Sequence, residues 1–116
     1  MARLELGPLD AQRDFVGLND AVRAVESAVT AADMAVPVIN VGRGVATTAR
    51  EMVRALVEIS GVPAEVTEAP SDGEPDQTWQ RLRVDLAAEV LGWSPHSDLS
   101  AELTSLWESA EAEALA

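Results

Sequence analysis

Arg13, Asp14 and Phe15 are the first residues along this chain whose types suggest chemistry. In a strand over Gln12–Leu18, Arg13 and Phe15 share one face and Asp14 and Val16 the other. An arginine beside an aromatic ring grips a planar or phosphorylated ligand. The plainer alternative is an arginine paired with a nearby carboxylate over a buried Phe15. A second such surface is predicted in Thr78–Asp85, where Trp79, Arg81 and Arg83 fall on one side and Gln80, Leu82 and Val84 on the other. Its alternative is a solvent-facing edge whose arginines neutralise neighbouring acids. Arg43, set between Gly42 and Gly44, joins Arg13, Phe15, Trp79 and Arg81 as a candidate binding residue. For acid–base work the candidates are Asp14 and His96. His96 follows Ser94-Pro95, a turn context that equally suits an exposed surface histidine.

Several chemistries are excluded by what is absent. The 116 residues contain no cysteine, lysine or tyrosine and one histidine. A disulfide, a thiolate nucleophile, a Schiff-base lysine, a tyrosine acid and a multi-histidine metal cage are therefore ruled out within them. Asp72, Glu74 and Asp76 are spaced like the start of a calcium loop, but Gly73 is misplaced and Arg83 stands where the bidentate glutamate belongs. A solvated acidic loop is the expectation, with no metal.

The elements that must position these residues centre on Pro37–Gly61. Val38, Ile39 and Val41 predict a strand covered on both faces at Pro37–Val41. Gly42 and Gly44 allow a sharp reversal. Thr48 and Glu51 form a capping box, Met52, Val53, Leu56 and Val57 recur at helical spacing, and Gly61 supplies the left-handed stop.

Around that centre, residues 1–11 read as a lead-in broken by Gly7-Pro8. Asn19 or Asp20 caps a helix to about Ala32 whose stripe is Ala21, Val22, Val25, Ala28, Val29 and Ala32, packed against a sheet. Ala64–Ala69 suits a short edge strand. Asp85 caps a helix ended by Gly92, and Asp98 caps a last one that buries Leu99, Leu103 and Trp107. The acidic tail from Glu108 to Ala116 is expected to fray. The order is β-α-β-α-β-β-α-α: a small single α/β domain with a short, mixed, partly parallel sheet.

With 47% hydrophobic residues the chain should fold and bury roughly two-thirds of its surface. Its net charge of −12 argues against binding nucleic acid or an anionic membrane surface and otherwise speaks to solubility. No apolar run approaches a membrane span of roughly 20 residues and no signal-peptide layout is seen, so a cytoplasmic location is the default. Arginine without lysine suggests a GC-rich bacterial genome.

The ordered set GPLDAQRDFVGLNDAVRAV, VINVGRGVATTAREMVRALVEISG and RVDLAAEVLGWSP resembles the C-terminal half of extended short-chain dehydrogenases/reductases. It is most similar to nucleotide-sugar epimerases, 4,6-dehydratases and keto-reductases, notably the GDP-mannose 4,6-dehydratase branch. The resemblance implies a substrate-holding domain without the N-terminal dinucleotide-binding domain. It implies that Arg13 contacts the substrate diphosphate beside Phe15. Asn40, Gly42 and Gly44 match a structural turn, Asp20 a helix cap and Gly92-Trp93 a structural pair. A second phosphate-binding arginine is missing: Ser71 or Glu74 stands in its place, with Arg81 a candidate substitute on the adjacent strand. The Tyr-x-x-x-Lys catalytic pair has no counterpart, so no cofactor binding and no hydride transfer are expected of these residues alone.

A domain of that kind exposes an apolar face, which predicts a homodimer or a dinucleotide-binding partner chain. The expected function is a binding module for a nucleotide sugar or related metabolite. The alternatives are a repurposed cofactor-free cyclase, dehydratase or isomerase of natural-product biosynthesis, and an assembly module with no small ligand.

Overall fold

Thr48 and Glu51 close the specified capping box: Glu51 N donates to Thr48 Oγ1 at 3.1 Å, and Thr48 N donates to Glu51 Oε2 at 3.1 Å. The structure, a computed structural model, describes residues 1–31, 36–70 and 80–115. Its elements are β1 (Ala2–Leu6), β2 (Gln12–Arg13), α1 (Leu18–Thr30), β3 (Thr47–Thr48), α2 (Ala49–Ser60), β4 (Ala64–Glu68), α3 (Asp85–Leu91) and α4 (Leu99–Ala114). Gly61 and Gly92 end α2 and α3 in the left-handed conformation, at φ 67° and 63°. Asp98 caps α4 by accepting from Ala101 N at 2.7 Å, and α4 runs on through Ala114.

The α/β class with a short parallel sheet is as the sequence indicated. The order is instead β-β-α-β-α-β-α-α, and the strands form two separate pairs. β1 and β4 are parallel, with Leu4 opposite Val66 and Arg3 opposite Glu65. Residues 2–6 are therefore a strand rather than a lead-in, because β4 supplies hydrogen bonds that no local pattern reveals. β2 and β3 are antiparallel, with Gln12 opposite Thr48 and Arg13 opposite Thr47. Arg50 braces the two pairs, donating to Asp10 at 2.6 Å and to Glu68 at 2.7 Å.

Three expectations are corrected. Residues 37–41 are not a strand: they make no backbone hydrogen bond to any described residue, and Val38 is 72% exposed. Residues 80–84 are not a strand either, although Gln80 N donates to Gln12 O at 3.0 Å; Thr78 and Trp79 lie outside the described residues, as does the Asp72–Asp76 loop. The strand at Gln12 stops at Arg13, because the Asp14 side chain is drawn into backbone contacts with other segments.

The caps differ as well. Gly17, without a side-chain bond, precedes α1, which puts Asp20 inside the first turn. Val84 precedes α3, which puts Asp85 in its first turn. On α1 the inward residues are Asp20 and Ala24, whereas Leu18, Val22, Val25 and Val29 are exposed. The predicted valine stripe thus lies outside the core it was expected to face.

The core is small: Ala24, Ala87 and Trp93, with Val16, Ile39, Val41 and Leu91 packed against them, and Leu103 buried in α4. The molecule is a plate of 54 × 42 × 19 Å. Its accessible surface is 8130 Å², against about 6,100 Å² for a monomer of 12.3 kDa. It buries about 54% of its extended-chain surface, short of the expected two-thirds.

Candidate functional site

Asp14 is the organising residue of the site. Its carboxylate accepts the backbone N–H of Arg43 at 2.7 Å, of Gly44 at 2.9 Å and of Leu82 at 3.1 Å. Three segments far apart in sequence, 12–15, 42–44 and 80–82, are thereby held together. Gly42 makes the approach feasible, since a Cβ there would lie 2.8 Å from Asp14 Oδ2 and 3.0 Å from Leu82 Cδ1. The carboxylate serves as an anchor for the loop N–H groups.

Arg13, Arg43 and Arg81 are brought to this one junction. Arg13 precedes the anchor on β2, Arg43 supplies one of its donors, and Arg81 lies between Gln80, bonded to Gln12, and Leu82, bonded to Asp14. Arg13 and Phe15 are half-buried, as is Arg43, and Arg81 is exposed. Arg13 Nη1 donates to Gln12 O at 2.9 Å. Neither Arg13 nor Arg43 is ion-paired with a carboxylate among the described residues, unlike Arg3, Arg23, Arg50 and Arg83. The plainer reading of Arg13, an arginine paired with a nearby carboxylate over a buried Phe15, finds no such carboxylate among the described residues. Arg13 and Arg43 are thus half-buried cations flanking the Asp14 junction in a chain of net charge −12, and guanidinium is the group that pairs with anions.

His96 belongs to a different junction, built on Asp20. Asp20 is 1% exposed, and its carboxylate accepts Arg23 Nη2 at 2.6 Å and the backbone N–H groups of His96 and Ser97 at 3.1 Å each. Burial alone would raise the Asp20 pKa; the Arg23 hydrogen bond and the two loop N–H groups outweigh it and hold the carboxyl below its ordinary range. Trp93 Nε1 donates to Asp20 O at 2.9 Å, locking α1 onto the turn that follows α3. The His96 side chain is exposed. Asp14 and His96 are thus tied to separate loops, and no acid–base pair is formed from them.

Sequence reasoning missed the Asp20 junction, reading that residue as a helix cap. It also missed a cleft of about 390 Å³ lined by Val38, Asn40, Arg83, Asp85, Leu86 and Glu89. A second, apolar hollow of about 240 Å³ is lined by Leu4, Leu56, Val57, Val62 and Trp107, among others. Trp79, a candidate ring beside the arginines, lies outside the described residues.

No family model matches the chain. A dTDP-6-deoxy-L-talose 4-dehydrogenase (NAD(P)(+)) of Kitasatospora kifunensis is 50% identical over 109 residues, covering 91% of this chain and 34% of that enzyme. A UDP-glucose 4-epimerase of Rhizobium leguminosarum bv. trifolii is 35% identical over 100 residues, covering 83% of this chain and 30% of that enzyme. Its homologues act on nucleotide sugars. The solved UDP-glucose 4-epimerase of Thermotoga maritima with UDP-glucose superposes with a TM-score of 0.82 at 30% identity, covering 97% of this chain and 36% of that one. The chain spans about a third of the length of the relatives it matches. No helix among the described residues is long and apolar enough to cross a membrane.

Proposed function

We propose that this chain is the nucleotide-sugar-holding domain of an epimerase/dehydratase-like protein of the extended short-chain dehydrogenase/reductase type. Arg13 and Arg43 clasp the diphosphate, and Phe15 packs beside them. The observation carrying this reading is that Asp14, which follows Arg13 on the chain, holds the loop of Arg43 against β2, with both arginines half-buried and outside any ion pair among the described residues. Homologues that act on nucleotide sugars supply the ligand class. With neither tyrosine nor lysine among these residues, the reading assigns them ligand holding and no hydride transfer of their own.

Calorimetric titration with UDP-glucose and dTDP-glucose tests the proposal. Binding by the full chain is expected, weakened at least about tenfold by Arg13→Gln, since a charge-assisted contact contributes roughly 1.5–3 kcal/mol. Absence of binding to either sugar nucleotide, or binding indifferent to Arg13→Gln and Arg43→Gln, sinks the idea.

A further inference from the structure

Strand β1 is exposed from Ala2 to Glu5, and only Leu6 is half-buried. Its one neighbour among the described residues is β4. In a parallel pair the N–H and C=O of every second residue reach that neighbour. Ala2 N donates to Pro63 O at 3.1 Å and Leu6 O accepts from Ala69 N at 2.8 Å, so Ala2, Leu4 and Leu6 are the residues bonded toward β4. The N–H and C=O of Arg3 and Glu5 therefore point out of the opposite edge of the sheet. An edge of that kind is a template for another strand.

The two faces of β1 differ in character. Arg3 and Glu5 share one face, and Ala2, Leu4 and Leu6 share the other. On the second face Ala2 and Leu4 line the apolar hollow of about 240 Å³, together with Leu56, Val57, Val62 and Trp107. Leu4 is 39% exposed and Val62 46% exposed, so apolar surface lies open beside the edge.

We infer that β1 is the seam of a homodimer, pairing antiparallel with β1 of a second copy across a two-fold axis at Leu4. Antiparallel strands oppose outward-bonding residues to outward-bonding residues, which limits a central axis to Arg3, Leu4 or Glu5. An axis at Arg3 sets arginine against arginine, and an axis at Glu5 sets glutamate against glutamate. The axis at Leu4 alone opposes Arg3 of each copy to Glu5 of the other, and these pairs exchange both of their backbone hydrogen bonds. Leu4 then meets Leu4 in the non-hydrogen-bonded pair, where side chains approach closest. Leu6 of the second copy falls beside Ala2, on the face of the hollow, and adds to its apolar wall. The outer edge of β4 offers no such match, since that strand carries Glu65 and Glu68 and no cation. Each copy's charge of −12 opposes association, but repulsion beyond about 8 Å is screened at physiological salt, whereas charges opposed on neighbouring strands lie within that distance. The inference uses none of the residues assigned to the nucleotide sugar.

Analytical ultracentrifugation of the full chain across a concentration series, without any sugar nucleotide, is the test. A concentration-dependent dimer is expected, with amide exchange at Arg3 and Glu5 slowed about tenfold where the dimer dominates. Arg3→Glu and Glu5→Arg each set like charges across the seam and should weaken the dimer about tenfold. Within one copy Arg3 faces Glu65 at 3.8 Å, an exposed pair of the kind that contributes little to folding. Mixed in equal amounts, the two variants should form a heterodimer of parental affinity, because the glutamates of one strand then face the arginines of the other. Glu5→Pro removes an N–H that β4 does not use, so it should abolish the dimer and leave the circular dichroism unchanged. The inference is overturned by a chain that stays monomeric up to about 1 mM. It is equally overturned by a dimer indifferent to the charge variants or to Glu5→Pro, or by charge variants that do not recombine when mixed.

Discussion

Asp14 Oδ1 accepts the backbone N–H of Arg43 at 2.7 Å, across 29 positions of sequence. The other oxygen holds Gly44 and Leu82, so a single carboxylate fixes where two arginine-bearing loops meet β2. Asp14→Asn presents an NH2 group to N–H donors that need an acceptor. It should cost about 1–3 kcal/mol in urea unfolding and weaken sugar-nucleotide binding along with it. A variant of unchanged stability would show that the loops are positioned by other contacts.

The close approach at Gly42 gives a second prediction. A methyl group there meets a carboxylate oxygen at 2.8 Å, and that carboxylate is pinned by backbone donors and cannot swing aside freely. Gly42→Ala should destabilise the chain by about 1–3 kcal/mol. Gly7→Ala, with nothing within 4 Å of its Cβ, should change stability far less. Thermal melts of the two variants side by side check the contrast.

What the sequence reveals here depends on the reach of each contact. Thr48 and Glu51 are three residues apart, so a capping box is fully specified locally, as are the stops at Gly61 and Gly92 and the cap at Asp98. Asp14 and Asp20 are acids beside a strand and a helix, and the local rule reads the second as a cap. Apart from Arg23, three residues from Asp20, their partners lie 29 to 77 positions away, out of reach of any local pattern. The pairing of β1 with β4 is hidden for the same reason. The alternation of Val38–Val41 was legible, but the strand it describes lacks a neighbour among the described residues. Arg13, Arg43 and Arg81 were each visible as candidates; their convergence was not, because it depends on those same distant bonds.

Trp93 should be the most sensitive single position in the core. It is 2% exposed, packs with Ala24 and Ala87, and donates its indole N–H to Asp20 O at 2.9 Å. Trp93→Phe keeps most of the apolar volume and loses the hydrogen bond, costing about 1–3 kcal/mol. Trp93→Ala adds a cavity and should cost about 3–5 kcal/mol, enough to unfold a domain with so small a core. Equal urea midpoints for Trp93→Phe and the parent chain would remove the hydrogen bond from this account.

The Asp20 junction makes stability depend on acid. Its folded-state pKa is lowered against the opposing effect of burial by Arg23 and by the His96 and Ser97 N–H groups. In the unfolded chain the same carboxyl titrates near about 3.9. As pH falls, the unfolded state therefore takes up a proton first, and the Asp20 contribution is complete above about pH 4 and lost as pH drops through the folded-state value. Glu68, lowered chiefly by its hydrogen bond to Arg50, acts in the same direction. Asp20→Asn should reduce stability by about 1–3 kcal/mol at pH 7, with the gap to the parent chain narrowing below about pH 4. Urea midpoints at pH 7, 5 and 3 measure this directly. A gap that stays constant across that range would mean that Asp20 is not held in its ionised form by Arg23 and the turn.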